Sequence, residues 1–211
     1  MYDLMKPNSV EWLTDEEVIR ARNQVHALRE HWRPFGPQGV HSYTLGRATY
    51  LSPRFDQTIA EDVEFMHMHF GWLFDRTVEK IKEVFDIDNV RIFDEVTTPG
   101  FHVFTGPADA VEIPHYHVDT TIDHFIPDAP DDGWMHSFGA LLDNISDPPA
   151  HLDYIYEGVH SSQVYEMGHM NLWNSYMKHK IGGVKSITNE EFRITFQGHV
   201  CKLDGEYVVY F

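Results

Sequence analysis

Apolar side chains recur at helical spacing in two stretches of the first third of the chain. In the longer stretch they occur every three or four residues: Val63, Met66, Phe70, Phe74, Val78, Ile81 and Val84. This spacing places them on one face of an α-helix, which most simply packs against a sheet. The shorter stretch begins with Thr14 and Glu17, the pattern of a capping box at a helix N-terminus. It predicts a helix that runs to about His31, ahead of Pro34.

Strand-like runs replace the helical spacing in the rest of the chain. A run at residues 41–51 has strand composition and is expected to join the edge of a sheet. From residue 90 onward, short runs rich in β-branched and aromatic residues alternate with Gly, Pro and Asp clusters. These runs are Val90–Phe93, Gly100–Thr105, Pro114–Ile122, Ser137–Leu142, His151–Tyr156, Met170–Tyr176, Arg193–Gln197 and Tyr207–Phe211. Eight short strands after N-terminal helices predict a mainly β fold, a barrel or jelly roll.

Length and charge limit the architecture and the partners. With 42% hydrophobic residues we expect one domain over residues 1–211, in which 1–89 are mainly helical support and 90–211 form the β core. The formal charge of −17, from 33 acidic and 16 basic residues, repels phosphate backbones and anionic membrane surfaces. Nucleic acid and membranes are therefore not expected partners.

Cysteine usage and the apolar runs bear on the compartment and on metal binding. The N-terminal residues lack a basic flank followed by an apolar run, and no apolar stretch is long enough to span a bilayer. The single cysteine, Cys201, cannot form an internal disulfide, which fits a reducing cytoplasm. We therefore expect a cytoplasmic protein in which any metal is held by histidine and carboxylate.

The segment from His115 to Asp119 carries the first candidate chemistry. Its polar residues His115, His117 and Asp119 alternate, so on a strand they would share one face and point into the barrel. Same-face neighbours lie roughly 7 Å apart, and the outer two would be roughly 13 Å apart. A metal could therefore take His117 with Asp119, or His115 with His117. A buried hydrogen-bonded pair of His117 and Asp119 that only supports the fold is the structural alternative.

A third ligand and a basic residue follow later in the sequence. His179 comes shortly after the run that ends at Tyr176, and it is the candidate third ligand. Two histidines and one carboxylate on one face leave positions open, which suits ferrous iron. Arg193 begins a strand fourteen positions after His179, and its planar fork can grip a carboxylate group, with the Thr195 hydroxyl on the same face. The alternative for Arg193 is an ordinary surface ion pair with a nearby glutamate.

In this order the residues resemble the pattern of the Fe(II)/2-oxoglutarate-dependent oxygenases. That pattern is His-x-Asp, a distal His, then Arg-x-Ser or Arg-x-Thr, and it is matched by His117-Val-Asp119, His179 and Arg193-Ile-Thr195. The resemblance covers roughly residues 90–211. Singly the motifs are weak, since His-x-Asp recurs at His151-Leu-Asp153. We expect that second copy not to be a metal site, because it lacks a downstream His and Arg at matching spacing.

The resemblance implies a double-stranded β-helix and a dioxygenase activity. Iron would be bound by His117, Asp119 and His179, and 2-oxoglutarate by Arg193 and Thr195. The implied reaction consumes O2, converts 2-oxoglutarate to succinate and carbon dioxide, and hydroxylates an unactivated C–H bond of a small molecule, an amino acid or a peptidyl side chain. Because Asp119 supplies the carboxylate that related halogenases lack, halogenation is not expected.

Two other readings of the same residues stay open. The set His115, His117 and His179 also resembles the ligands of cupin-type metalloproteins, which would need neither Asp119 nor Arg193. Against it, the glutamate that cupins usually carry a few residues after His-x-His is missing. A non-catalytic oxygenase-like module, which acts through protein contacts, would bind no iron.

Overall fold

The computed structural model describes residues 6–35, 42–47, 59–94, 100–105, 115–119, 134–144, 149–182 and 192–211. These ranges contain two α-helices, α1 (Asp15–Ala27) and α2 (Ile59–Phe85). The strands are β1 (Asn8–Glu11), β2 (Arg33–Pro34), β3 (Ser42–Leu45), β4 (Val90–Ile92), β5 (Gly100–Thr105), β6 (Met135–Asn144), β7 (His151–Tyr156), β8 (Val159–Val164), β9 (His169–Asn174), β10 (Lys178–Gly182), β11 (Phe192–Leu203) and β12 (Glu206–Tyr210). Neither helix has an apolar segment long enough to cross a membrane.

Two sheets form the β part of the described chain. The larger has the order β1-β9-β6-β11-β5-β3-β2, with β12 paired to both β11 and β4. The smaller has the order β10-β7-β8. All pairs are antiparallel except β12 with β4. The mainly β fold with N-terminal helices that the sequence predicts is confirmed, whereas the division of the domain at residue 90 stays a prediction.

The capping box predicted at α1 is present. The Glu17 backbone N–H donates to the Thr14 hydroxyl at 3.3 Å, and the Thr14 N–H donates to the Glu17 carboxylate at 2.9 Å. The helix ends at Ala27, and a 3-10 turn covers Arg29–His31. The helix therefore ends earlier than predicted, and the Trp32 indole N–H donates back to the Val25 carbonyl in its last turn.

The two helices cover one face of the larger sheet. The apolar stripe of α2 packs with α1 and with buried strand residues in a single core. Phe196 of β11 lies at the centre of this core, fully buried. Its ring contacts five aromatic rings at centroid distances of 5.1–6.1 Å: Trp12, Phe74, Phe101, Phe138 and Phe211. The other face of the sheet is left for the candidate site.

One predicted strand is wrong where it can be compared with the structure. Residues 115–119 form no strand, and only His117 makes a β-bridge, to His179. The rest of Pro114–Ile122 lies outside the described residues. The pattern also missed β10, which carries His179, because its lysines at positions 178 and 180 hide the short apolar signal. Strands β7 and β5 have the predicted bounds.

Phe196→Ala should lower the free energy of unfolding by about 3–5 kcal/mol, because it leaves a cavity among five rings. Chemical denaturation checks this, with an unchanged denaturant dependence showing that the transition stays comparable. Met68→Ala on α2 is the control, since Met68 is 72% exposed and should change stability by less than about 0.5 kcal/mol. Equal effects of the two variants would contradict the assignment of this core.

Stability should also fall in acid because of His136 on β6. Its ring is buried against Phe85 and Trp134, and burial lowers its pKa from 6.5 to about 4. Below about pH 6.5 His136 is protonated in the unfolded chain, whereas in the folded protein it is protonated only below about pH 4. The free energy of unfolding therefore decreases as pH falls through this window. His136→Phe should remove about 2–3 kcal/mol of the loss between about pH 7 and pH 4.5. Urea denaturation at both pH values measures the change in the free energy of unfolding. An equal loss of stability in the variant and the wild type would show that His136 is not the cause.

Candidate metal centre

His117 and His179 lie directly opposite each other through their main chains. The His117 N–H donates to the His179 carbonyl, and the His179 N–H donates to the His117 carbonyl, both at 2.9 Å. Two such bonds define a hydrogen-bonded antiparallel pair, in which the two side chains lie on the same face. The two imidazole rings have centroids 4.5 Å apart. His179 is buried, whereas 40% of the His117 side chain is exposed.

Asp119 completes a cluster of three possible ligands. Its backbone N–H donates to the Ser175 carbonyl at 2.8 Å, which fixes the main chain beside β10. One carboxylate oxygen lies 3.3 Å from His179 Nε2, and the other lies 3.7 Å from His117 Nε2. One ligand atom from each of the three residues lies within 4.8 Å of the other two. No second such cluster of His, Cys, Asp or Glu occurs among the described residues.

The hydrogen bonds of the rings set which nitrogen is free to bind metal. His179 Nδ1 lies 2.9 Å from the Met177 carbonyl, and His117 Nδ1 lies 3.3 Å from the His115 carbonyl. Because a carbonyl only accepts, both Nδ1 atoms carry a proton, so a metal that binds either ring must bind its Nε2, which then carries no proton. The two Nε2 atoms are the ones that face Asp119, so both rings present a ligand atom to the cluster.

Charge in the cluster favours an ionised Asp119. Burial raises the pKa of this carboxyl, but hydrogen bonds from His179 and Ser137 and the charges of His179 and His199 outweigh burial and hold it well below its usual range. For His179, burial lowers the pKa, while the hydrogen bond and charge of Asp119 reverse this and raise it. A deprotonated carboxylate beside two imidazoles is the donor set that ferrous iron takes with positions left open, so these residues fit that metal.

A cavity of about 440 Å³ opens beside the cluster, between the two sheets. Its walls are largely apolar and include Phe35, Phe104, Val118, Phe138, Trp173 and Ile181. His115 also lines the cavity, but it is exposed and is not one of the three clustered ligands. The structure therefore brings His117, Asp119 and His179 together and leaves His115 out.

Arg193 is a buried cation in this cavity. It is only 4% exposed, and its three guanidinium nitrogens have no hydrogen-bond partner among the described residues. The guanidinium lies 5.7 Å from the centre of the Phe104 ring. Burial lowers the pKa of Arg193 to about 10, so it stays charged at neutral pH. Its burial differs from that of an ordinary surface ion pair, and Glu190 and Glu191, the glutamates that suggested such a pair, lie outside the described residues.

Thr195 lines the same cavity, two residues along β11 from Arg193. Both side chains reach it although the pairing of β11 with β6 shifts register between Ile194 and Thr195. A buried guanidinium whose donors have no partner among the described residues is suited to bind an anion, which would offset its desolvation. The cavity can therefore hold a carboxylate at Arg193 and Thr195, and a metal at His117, Asp119 and His179.

Several residues of the site were missed in the sequence. Gln197 and His199 of β11 line the cavity, and Ser137 of β6 contacts Asp119. Gln197 and His199 could have been found from the sequence, because positions 193, 195, 197 and 199 alternate along one strand. The predicted strand ended at Gln197, whereas β11 continues to Leu203. Nothing in the sequence marked Ser137, since serine is common in strands that face either side.

The second His-x-Asp motif, His151-Leu-Asp153, makes other contacts, away from the three clustered ligands. His151 and Asp153 lie on β7, with His151 Nε2 3.5 Å from the Asp153 carboxylate. That carboxylate also contacts the Ser162 hydroxyl and lies 3.7 Å from the Lys180 ammonium. The lysine charge offsets that of Asp153, and the described residues around it contain no group of three possible metal ligands.

Comparisons with known proteins bear on the fold. No protein-family model matches the sequence, and no curated protein matches it. Among solved structures, the chain is similar to SnoN, a non-heme alpha-ketoglutarate-dependent epimerase from nogalamycin biosynthesis, with a TM-score of 0.60 and 12% identity over 94% of this chain and 78% of that one. It is also similar to an N-substituted L-amino acid dioxygenase from Burkholderia ambifaria in complex with alpha-ketoglutarate, with a TM-score of 0.53 and 13% identity over 97% and 86% of the chains.

A third similar structure is HygX from Streptomyces hygroscopicus with nickel, 2-oxoglutarate and hygromycin B bound, at a TM-score of 0.51 and 12% identity over 93% and 83% of the chains. The chain has the fold of the 2-oxoglutarate-dependent oxygenases. The double-stranded β-helix implied by the resemblance of residues 90–211 is thus confirmed, and the likeness extends over nearly the whole chain. At these identities an oxygenase fold by itself does not determine activity, which rests on the residues of the site.

Asp119→Ala should weaken binding of a divalent metal by more than about 100-fold, beyond the range for loss of a group that only supports a ligand. The visible absorption of added Co(II) measures the affinity. Asp153→Ala is the matched control, because it removes the same carboxylate from the other His-x-Asp motif and should leave Co(II) affinity unchanged. A loss in the Asp153 variant as large as in the Asp119 variant would contradict the proposed ligand set.

Proposed function

We propose that this protein is an Fe(II)- and 2-oxoglutarate-dependent dioxygenase that hydroxylates an unactivated C–H bond. The observation that carries the proposal is the buried Arg193, whose guanidinium has no hydrogen-bond partner among the described residues and shares a cavity with His117, Asp119 and His179. Two histidines and a carboxylate alone would suit several metals. A buried cation beside them calls for an anionic co-substrate as well.

His117, Asp119 and His179 would hold the iron, through one atom each. Arg193 would bind the far carboxylate of 2-oxoglutarate with its planar fork, and Thr195 would add a hydroxyl hydrogen bond. When bound there, ferrous iron with 2-oxoglutarate and dioxygen supplies the oxidant for a C–H bond and releases succinate and carbon dioxide.

The protein contributes orientation and exclusion of water. The hydrogen bonds from Nδ1 of His117 and His179 to backbone carbonyls keep both rings aimed at the cluster. Phe104, Trp173 and Ile181 give the cavity apolar walls, which keep water away from the reacting groups. Because Arg193 stays charged and is held by β11, the co-substrate carboxylate is bound without rearrangement of the sheet.

The cavity bears on the kind of substrate. Its volume of about 440 Å³ lies in the range of sites for small molecules. After 2-oxoglutarate is bound, the apolar walls remain to receive a hydrocarbon part of the substrate. A small molecule, an amino acid or a peptidyl side chain fits this description. Hydroxylation is the simplest outcome, and a product one oxygen atom heavier would identify it.

The cupin-type reading has less support. It requires His115 as a ligand, but His115 is exposed and lies outside the cluster, whereas Asp119 is in it. It also leaves the buried charge of Arg193 without a purpose. The non-catalytic reading requires neither a ligand cluster nor a buried cation, and both are present.

Arg193→Met should weaken binding of 2-oxoglutarate by about 30-fold or more, since loss of a buried charged contact costs about 2 kcal/mol or more. The measurement is anaerobic titration of the Fe(II) protein with 2-oxoglutarate, which follows the visible charge-transfer band of the chelated 2-oxo acid. Iron affinity should not change. Arg91→Met is the control, because Arg91 is a surface residue paired with Glu206 and should leave both affinities unchanged.

The same titration separates the candidate functions. A saturable band that is weakened in Arg193→Met supports the dioxygenase. Iron bound without any band favours the cupin-type reading, which His115→Ala would then test by loss of iron. Absence of iron binding favours the non-catalytic module.

A further inference from the structure

A buried hydrogen-bond cluster lies behind Asp119, on the larger sheet. Ser137 Oγ is 2.6 Å from the Asp119 carboxylate, 2.8 Å from Ser175 Oγ and 3.0 Å from His199 Nδ1. Ser137, Ser175 and His199 are 1%, 0% and 8% exposed, so water has little access to these contacts. Four residues that are distant in sequence thus meet around one hydroxyl group.

The direction of each hydrogen bond in the cluster follows from counting protons. The Asp119 carboxylate only accepts, so Ser137 must donate its single proton to it. The two remaining contacts of Ser137 must then be donated to it, by the Ser175 hydroxyl and by the Nδ1–H of His199. Ser175 and His199 therefore both donate to Ser137, and Ser137 donates to Asp119. Such a chain of bonds is stronger in a buried site than in water.

The sheet holds this cluster in place. Ser137 of β6 and His199 of β11 are directly paired across neighbouring strands. The His199 ring stacks on Tyr210 at 4.9 Å between centroids. Ser175 acts twice, because its carbonyl accepts the Asp119 backbone N–H while its hydroxyl supports Ser137. Both the main chain and the side chain of Asp119 are thus connected to Ser175, the main chain directly and the side chain through Ser137.

We propose that Ser137, supported by His199 and Ser175, is a positioning residue that orients the Asp119 carboxylate for metal binding. The inference rests on the proposed function, since it takes Asp119 as a metal ligand. Ser137 engages the oxygen nearer His179 and leaves the oxygen nearer His117 uncontacted by this cluster. A carboxylate held in this way cannot rotate freely away from the two imidazoles.

Two substitutions of His199 separate hydrogen bonding from packing. His199→Phe keeps an aromatic ring against Tyr210 but removes the donor to Ser137. His199→Asn loses the ring but retains an amide N–H close to the position of Nδ1. Ser137→Ala removes the hydroxyl itself with little change in volume. His136→Phe is the matched control, because it makes the same change at a buried histidine on β6 that packs on the other side of the sheet.

Co(II) affinity of each variant is measured by anaerobic titration, with chemical denaturation to compare stability. Ser137→Ala and His199→Phe should bind Co(II) about 10–100-fold more weakly, the usual cost of removing a group that orients a ligand. His199→Asn should retain most of the affinity, and His136→Phe should equal the wild type. Affinity would then follow the donor and not the ring.

The opposite pattern overturns the proposal. If His199→Phe binds Co(II) like the wild type, or if His199→Asn is weakened as much as His199→Phe, the cluster only packs the sheet. Unchanged affinity in Ser137→Ala would have the same meaning. A wild-type protein that binds no divalent metal would refute the proposed function itself, and with it the role of Ser137.

Discussion

The pair of main-chain hydrogen bonds between His117 and His179 connects two parts of the chain that are far apart in sequence. Residues 115–119 form no strand of their own, and this bridge, with the bond from the Asp119 N–H to Ser175, attaches them beside the smaller sheet. The cluster of three possible metal ligands depends on that attachment. Without it, the second histidine and the carboxylate would have no fixed position relative to His179.

Burial of charge is the second constraint on the site. Asp119 and Arg193 carry opposite charges inside one largely apolar cavity, and each is handled differently. Asp119 is compensated within the protein by Ser137 and His179, so its carboxylate is ready before any ligand arrives. Arg193 has no hydrogen-bond partner for its guanidinium among the described residues. Within that part of the chain, the carboxylate is hydrogen-bonded and the guanidinium is not.

One face of the larger sheet packs in the hydrophobic core, and the other lines the cavity of the candidate site. Along β11, Ile194 and Phe196 enter the core under the helices, while Arg193, Thr195, Gln197 and His199 line the cavity. Because of this alternation, the single strand β11 contributes to both the hydrophobic core and the cavity. Residues of the core and residues of the cavity therefore share one backbone along β11.

The sequence by itself determined the fold class, most strands and both helices, because these depend on local spacing of apolar residues and on a capping box at Thr14. It also singled out His117, Asp119, His179, Arg193 and Thr195, through residue types in a particular order. It did not determine that His115 stands apart, because the alternation argument assumed a strand that residues 115–119 do not form. Only the tertiary structure placed Ser137, Ser175 and His199 behind Asp119, and left the Arg193 guanidinium buried. These contacts join distant segments, and no local pattern of side chains encodes which strands will be neighbours.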